Sequence, residues 1–251
     1  MYSQEDVVKM FLEGFQNMGG QLRILENHVP AIQQFEYFDY ARKLKKRKLK
    51  VMKDSDYSRL GERLESVETP LEEKKKLLSI LALSKEVRAF RLLEQYMKNP
   101  DEALANWASM ALLESRIAIE SELSDEKQIF ISSGLGGKNG RMRFCVLIPA
   151  SHEGPFEDYQ RNVIETEFGF FFPKNDCEIE RLTIKENYVE LVFLIPITKI
   201  VWKLLEIVIS ECNLYGNFLS RSFTVTNVKE FTQDDVNQIL ERHRKELKEH
   251  Y

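Results

Sequence analysis

The sequence predicts an α+β protein built in two regions. Residues 1–123 read as helix throughout, because apolar side chains recur there at three- and four-residue spacing. From residue 124 the period changes, and strand-like and helical stretches alternate in the order β-α-β-β-α-β before a terminal helix. The bulk composition permits both. With 251 residues and 43% hydrophobic residues the chain can bury a core without metal or disulfide staples.

In the helical region, Ser3 is an expected N-cap, with Val7, Met10, Phe11 and Phe15 as a stripe and Gly19-Gly20 as the stop. A second helix is expected from Gln21 through Leu22, Leu25, Val29, Ile32 and Phe35, kinked or split at Pro30. It continues into a basic run, which Asp54-Ser55-Asp56 ends, and a short helix follows around Tyr57 to Val67. Thr69-Pro70-Leu71-Glu72-Glu73 is a helix start, with Thr69 as cap, proline in the first turn and acids beside the positive end. Leu77, Leu78, Ile80 and Leu81 then form one apolar face. Ser84 is expected to cap the next helix, whose face is Val87, Phe90, Leu93 and Met97, or Leu92 and Tyr96. Asn99-Pro100-Asp101 breaks it, and Leu104, Trp107, Ala108, Ala111, Leu112 and Ser115 face inward from the one after. The short links predict antiparallel helix pairs.

In the second region, Gln128 to Ser132 and Arg141 to Pro149 read as a hairpin around the glycine-rich loop Gly134 to Gly140. Phe156 to Phe168 reads as a helix starting near Gly154. Cys177 to Lys185 and Tyr188 to Ile197 are strands around Glu186-Asn187, and Thr198 to Leu214 is a strongly apolar helix. Phe218 to Val228 is the last strand. Thr232 with Asp235 makes a capping box for a final helix, whose charged end from Glu241 is expected to fray.

Two resemblances follow. Glu86-Val87-Arg88-Ala89-Phe90-Arg91-Leu92-Leu93-Glu94, the linker Asn99-Pro100-Asp101-Glu102, and Asn106-Trp107-Ala108-Ser109-Met110-Ala111-Leu112-Leu113-Glu114 resemble a HEAT-type helical repeat across about residues 71–123. That resemblance implies stacked helix pairs that serve as a binding scaffold. By element order the second region resembles the ferredoxin-like fold, with an extra hairpin strand before it and a helix after it. That fold hosts many activities and implies none.

Charge and cysteine content exclude several classes. Thirty-six basic against 40 acidic residues leave a net charge of −4, which is not that of a polybasic nucleic-acid packer. Cys145, Cys177 and Cys212 are an odd set and do not form a disulfide framework. No apolar run reaches the length of a membrane span, and the acidic N-terminus lacks a signal-peptide layout. A cytoplasmic location with reduced thiols is therefore expected.

The densest candidate site is the run Arg42, Lys43, Leu44, Lys45, Lys46, Arg47, Lys48, Leu49, Lys50, in which seven of nine residues are basic. It suits an acidic protein surface or nucleic-acid phosphates, with Tyr37, Phe38 and Tyr40 upstream as stacking groups. A solvated helix face is the structural alternative. The Gly134 to Gly140 loop lacks the strand-loop-helix context of a phosphate loop and reads as a flexible turn. His152-Glu153 with Glu157-Asp158 lacks metal-ligand spacing. Phe168, Phe170, Phe171 and Phe172 are expected to close a helix-to-strand corner. The three cysteines read as small buried residues. Arg141, Arg143 and Phe144 are a partial match to an RNA-binding strand.

These observations predict a non-catalytic protein-interaction or scaffold protein with a protein partner, no cofactor, no metal and no membrane. Nucleic-acid binding through residues 42–50 is the first alternative. A small-ligand regulatory domain or enzyme in the C-terminal region is the second, and it requires a concave pocket with converging polar groups. Oligomeric state is not fixed by the sequence.

Overall fold

The structure is a computed structural model that describes residues 21–46, 54–123, 128–131 and 133–249. The protein is α+β, and its chain divides into two compact units, Glu13–Ile131 and one containing Ser132–Tyr251. The expected first helix, from Ser3 to Gly20, lies outside the described residues, as do Arg47, Lys48 and Lys50.

The first unit holds β1 (Gln21–Ile24), α1 (Ala31–Lys45), α2 (Asp54–Glu65), α3 (Leu71–Leu83), α4 (Val87–Tyr96), a single 3-10 turn at Glu102–Leu104, α5 (Ala105–Leu123) and β2 (Gln128–Ile131). Two expectations are corrected here. Gln21 to Ile24 is a strand, and Pro30 stands at the cap position of α1 instead of kinking a longer helix. Proline has no N–H to contribute to a preceding turn, so the helix begins after it. Gln128 to Ile131 does not form a hairpin with the strand that follows. It pairs in parallel with β1, Gln21 opposite Gln128 and Ile24 opposite Ile131, which ties the two ends of the helical unit together.

One core joins these helices. Leu77, Leu78 and Leu81 of α3 meet Ala89 and Leu93 of α4, and Leu104, Ala108 and Ala111 complete it. Alanines at the contact let the helix axes approach closely. The capping pattern departs from expectation. Pro70, not Thr69, occupies the cap of α3 and offers no side-chain bond. Ser84 closes α3 by donating from Oγ to the Leu81 carbonyl at 2.8 Å, and Glu86 precedes α4. Val87 is exposed, so the buried face of α4 runs through Ala89, Leu93 and Tyr96.

The second unit holds β3 (Gly137–Lys138), β4 (Arg141–Pro149), α6 (Asp158–Lys174), β5 (Glu178–Ile184), β6 (Tyr188–Pro196), α7 (Val201–Asn213), β7 (Thr224–Thr226) and α8 (Gln233–Glu249). Its sheet runs β3-β4-β6-β5, with β7 also paired to β4, and every pairing is antiparallel. Thus β6 lies between β4 and β5, the strands that flank α6, which is the split βαβ arrangement. The expected glycine-rich hairpin is shorter than the sequence suggested. Asn139 and Gly140 both take positive φ, 51° and 72°, and form a two-residue turn joining β3 directly to β4.

Helix α6 begins at Asp158, later than expected, with Glu157 as its cap: the Glu157 N–H donates to Gln160 Oε1 at 2.9 Å in a capping box. It also runs through the aromatic cluster. Phe168 and Phe172 stack at 5.6 Å in the core, while Phe170 is exposed with the Lys174 ammonium over its ring. The last strand is only Thr224–Thr226; Leu219 makes an isolated bridge to Ala150. Helix α8 continues past Glu241 to Glu249 and keeps His243 buried.

The two sheet faces differ. Val146, Ile148, Val189, Leu191, Phe193 and Ile195 pack under α6 and α7. The opposite face carries Cys145 and Val192, covered by Leu135 and Phe231 from the segments before β3 and after β7. Arg143 anchors the first segment by donating to the Leu135 carbonyl at 2.7 Å, and Arg181 pairs with Glu230 of the second. This second face is therefore covered by chain from its own unit. Gly134 is required there, since a Cβ would lie 1.8 Å from the Val228 carbonyl oxygen.

Candidate functional site

Helix α1 carries apolar side chains on two opposite faces. Tyr37, Ala41 and Leu44 are buried in the helical core. Ile32 (75% exposed), Phe35 (73%) and Phe38 (46%) follow one another at three-residue steps on the outer side. Among the described residues, packing explains the inner row but gives no reason for three large apolar residues on the outer one.

The inner face is held firmly. Tyr37 donates from its hydroxyl to Glu114 Oε2 at 2.8 Å, and its ring meets the Trp107 ring edge-on at 5.2 Å. Burial, reinforced by the Glu114 carboxylate, pushes the Tyr37 hydroxyl well above the usual tyrosine range. Trp107 also meets Tyr40 edge-on, and its indole N–H donates to Ser79 Oγ at 3.1 Å. Gln33 accepts from Asn106 at 2.7 Å, which fixes the start of α1 against α5.

The described members of the basic run continue the outer face of α1. Arg42 and Lys43 both reach Asp39, each at 2.6 Å, and these bonds hold the Asp39 carboxyl below the usual carboxylate range. Lys45 bridges to Glu114 at 3.3 Å. Lys46 is exposed at the end of the helix. Tyr37, expected as a stacking group, is instead a core residue, and Tyr40 is occupied by Trp107; Phe38 alone of the three is exposed. The residues of the run are thus brought next to an apolar row that sequence periodicity did not single out, because Ile32 and Phe35 were expected to face the core.

In the second unit, a cavity of about 310 Å³ lies between the end of β4, the loop after it and α8. His152, Glu153, Asn187, His243 and Arg244 are among its walls. The sequence placed His152 and Glu153 in a loop, and they are exposed there. His243, set aside as part of a charged tail, is the residue it missed; its position seven after Val236, the buried anchor of α8, was the available signal. Among the described residues, no group of three His, Cys, Asp or Glu side chains is placed to hold a metal ion.

The three cysteines are free and buried. Burial raises each thiol, Cys177 to about 11 and Cys212 to about 12, so they are poor nucleophiles at neutral pH. On β4, Arg143 is taken up by Glu180, and Arg141 by Asp176 at 2.5 Å. The β4 basic residues considered for an RNA contact are therefore paired within their own unit, Arg143 to β5 and Arg141 to the turn before it. No described helix is long and apolar enough to cross a membrane.

No family model matches the chain, and no curated protein matches it in sequence. A solved Deinococcus radiodurans R1 protein, named a candidate transposase, is similar to part of it at 14% identity. That similarity has a TM-score of 0.35 and covers 43% of this chain and 94% of the other.

Proposed function

We propose that the protein is a protein-interaction scaffold whose docking surface is the outer face of α1. The observation that carries this reading is the exposed row Ile32, Phe35 and Phe38 on a helix whose opposite face is already fully packed. The partner is an amphipathic protein segment with apolar residues for the row and acidic residues for Arg42, Lys43 and Lys46. Charge complementarity is the reason for that choice: the apolar row runs directly into cations that are more than two-thirds exposed at Arg42 and Lys43. Their ion pairs with Asp39 are solvent-screened surface pairs, which an incoming carboxylate can share or displace.

The HEAT-like reading of residues 71–123 agrees with this role. Stacked helices of such repeats create extended binding surfaces. Here α5 supplies Trp107 and Glu114, both of which grip the inner face of α1. Interface cores favour aromatic and apolar anchors, which Phe35 and Ile32 provide, with basic residues at the rim for orientation. Nucleic-acid binding is the less favoured reading, because Tyr37 and Tyr40 are not available to stack and Lys45 is engaged by Glu114.

The test compares the intact chain with its Ile32→Ser/Phe35→Ser variant. Proteins that co-purify are identified, and the binding segment is mapped with synthetic peptides. The reading expects an acidic amphipathic peptide to bind the parent chain and lose at least tenfold in affinity for the variant. It is overturned if binding is equal in both, or if only duplex or single-stranded nucleic acid binds with a steep salt dependence.

A further inference from the structure

Helices α6 and α7 cover one face of the sheet, and Ile164, Phe168, Leu205 and Val208 are among the side chains that hold them there. They run antiparallel, because each returns from one of the antiparallel neighbours β4 and β6. Lys199, before α7, donates to Asn175, after α6, at 3.5 Å. At the other end Tyr159, early in α6, meets the ring of Phe218, beyond α7, edge-on. The outward side of this pair is apolar in several places. Phe170 (65% exposed) stands about three turns from the exposed Tyr159, and so on the same side of α6. Leu214 (77% exposed), at the end of α7, lies about two turns from the exposed Ile207.

Gly169, next to Phe170, is a second and independent sign of a partner. It lies inside α6, where glycine weakens a helix relative to alanine. Its φ is not positive, so the backbone does not demand glycine. A Cβ built there meets nothing within 4 Å, so close packing within the chain does not demand it either. The close approach of another backbone would, since no side chain stands in its way.

The charges on this surface set the sign of that partner. Glu165 on α6 and Glu206 and Glu211 on α7 are exposed and take part in no ion pair among the described residues. Of the two exposed lysines on these helices, Lys174 lies over the Phe170 ring and Lys203 has a partner already. Trp202, one turn before Glu206, offers an exposed ring to a cation. We propose that the α6/α7 surface docks a basic amphipathic helix of another protein. Its apolar row seats on Phe170, Ile207 and Leu214 with its backbone close to Gly169, and its Lys and Arg side chains meet Glu165, Glu206 and Glu211. The α1 face takes an acidic segment, so the two surfaces select different partners and neither proposal depends on the other.

The experiment titrates the intact chain with two synthetic amphipathic helical peptides of one apolar pattern, one with lysine and one with glutamate at the polar positions, at fixed ionic strength. The expected result is saturable one-to-one binding of the lysine peptide, with shifts in the α6 and α7 amides. Gly169→Met should lower that affinity at least tenfold while its unfolding midpoint is no lower than the parent's, because the new side chain enters open space. Ile207→Ser/Leu214→Ser should also lose at least tenfold, and Glu206→Gln/Glu211→Gln should weaken binding and flatten its salt dependence. Binding of the glutamate peptide, which reports on α1, should be unchanged in all three variants. The proposal is overturned if the lysine peptide fails to bind, binds the parent chain and Gly169→Met equally, or is outcompeted at these amides by the glutamate peptide. Concentration-dependent dimerisation that Ile207→Ser/Leu214→Ser abolishes would also overturn it, by giving the surface to a second copy of the chain.

Discussion

Lys74 and Asp101 form an ion pair, buried at the ammonium and 35% exposed at the carboxylate, that joins α3 to the linker between α4 and α5. The Lys74 ammonium is 2.7 Å from Asp101 Oδ2, and its side chain is only 4% exposed. The Tyr96 hydroxyl donates to the same Asp101 oxygen at 2.5 Å, and Trp107 packs nearby through Ser79 and the Lys75 carbonyl. Together these contacts explain why the linker Asn99-Pro100-Asp101 is fixed and not merely a break between helices.

The pair predicts a non-additive stability cycle. Asp101→Ala leaves a buried ammonium and the Tyr96 hydroxyl without an acceptor, and should cost about 3 kcal/mol in denaturant unfolding. Lys74→Met with Asp101→Asn removes both charges and should cost clearly less than the single change. Equal losses would show that the pair is not the source of the effect.

The same carboxylate gives a pH prediction. The Lys74 bond, followed by that from Tyr96, holds the Asp101 carboxyl below its ordinary range. Asp235 is held down to about 2, chiefly by Lys229 and then by the Thr232 N–H. A carboxyl lowered by folding contributes stability above its unfolded value, and that contribution disappears as pH falls through the folded value. For Asp235 the loss runs from the ordinary 3.8 down to about 2. Asp235→Asn should flatten the pH dependence of α8 fraying in that window, measured by NMR of the Gln233 to Val236 amides.

Tyr37 tests how α1 is mounted. Tyr37→Phe removes the hydroxyl bond to Glu114 but leaves the ring on Trp107, so it should cost about 1 kcal/mol in thermal or denaturant unfolding. Partner affinity should change little, because the outer face is untouched. A collapse in binding with no loss of stability would mean that Glu114, not the apolar row, is the recognition element.

Gly134 tests the cover over the second sheet face. Gly134→Ala puts a methyl group into the Val228 carbonyl, and backbone cannot yield as a flexible side chain does. We expect a loss of about 2 kcal/mol or more and a faster reaction of Cys145 with a thiol reagent. An unchanged Cys145 rate would show that Leu135 and Phe231 do not depend on this close approach.

Much of this architecture was legible in sequence because local signals agreed with long-range packing. The α7 stripe Val201, Leu204, Leu205, Val208 and Ile209 is buried as its period required. The Thr232–Asp235 capping box forms in both directions. The split βαβ order followed from element types alone. The failures share one cause, which is that a partner far along the chain decided the outcome. Gln128 to Ile131 carries strand residues, but only the register with Gln21 to Ile24, more than a hundred residues away, makes it a parallel strand. Leu22, Leu25, Val29, Ile32 and Phe35 fit one helical stripe, yet Pro30 divides them between a strand, a loop and the outer face of α1. His243 lay in a segment whose charge masked one buried position per two turns. The basic run was plain as composition, but its pairing with Asp39 and Glu114 required the fold.

The most direct measurement places a photo-crosslinking residue at Phe35 in the intact chain and identifies the peptide it captures. The account predicts a segment of another protein with interleaved acidic and apolar residues, no longer captured when Ile32 is also replaced by serine. Capture of nucleic acid, capture only of another copy of this chain, or no capture in cells that supply its partners would contradict it.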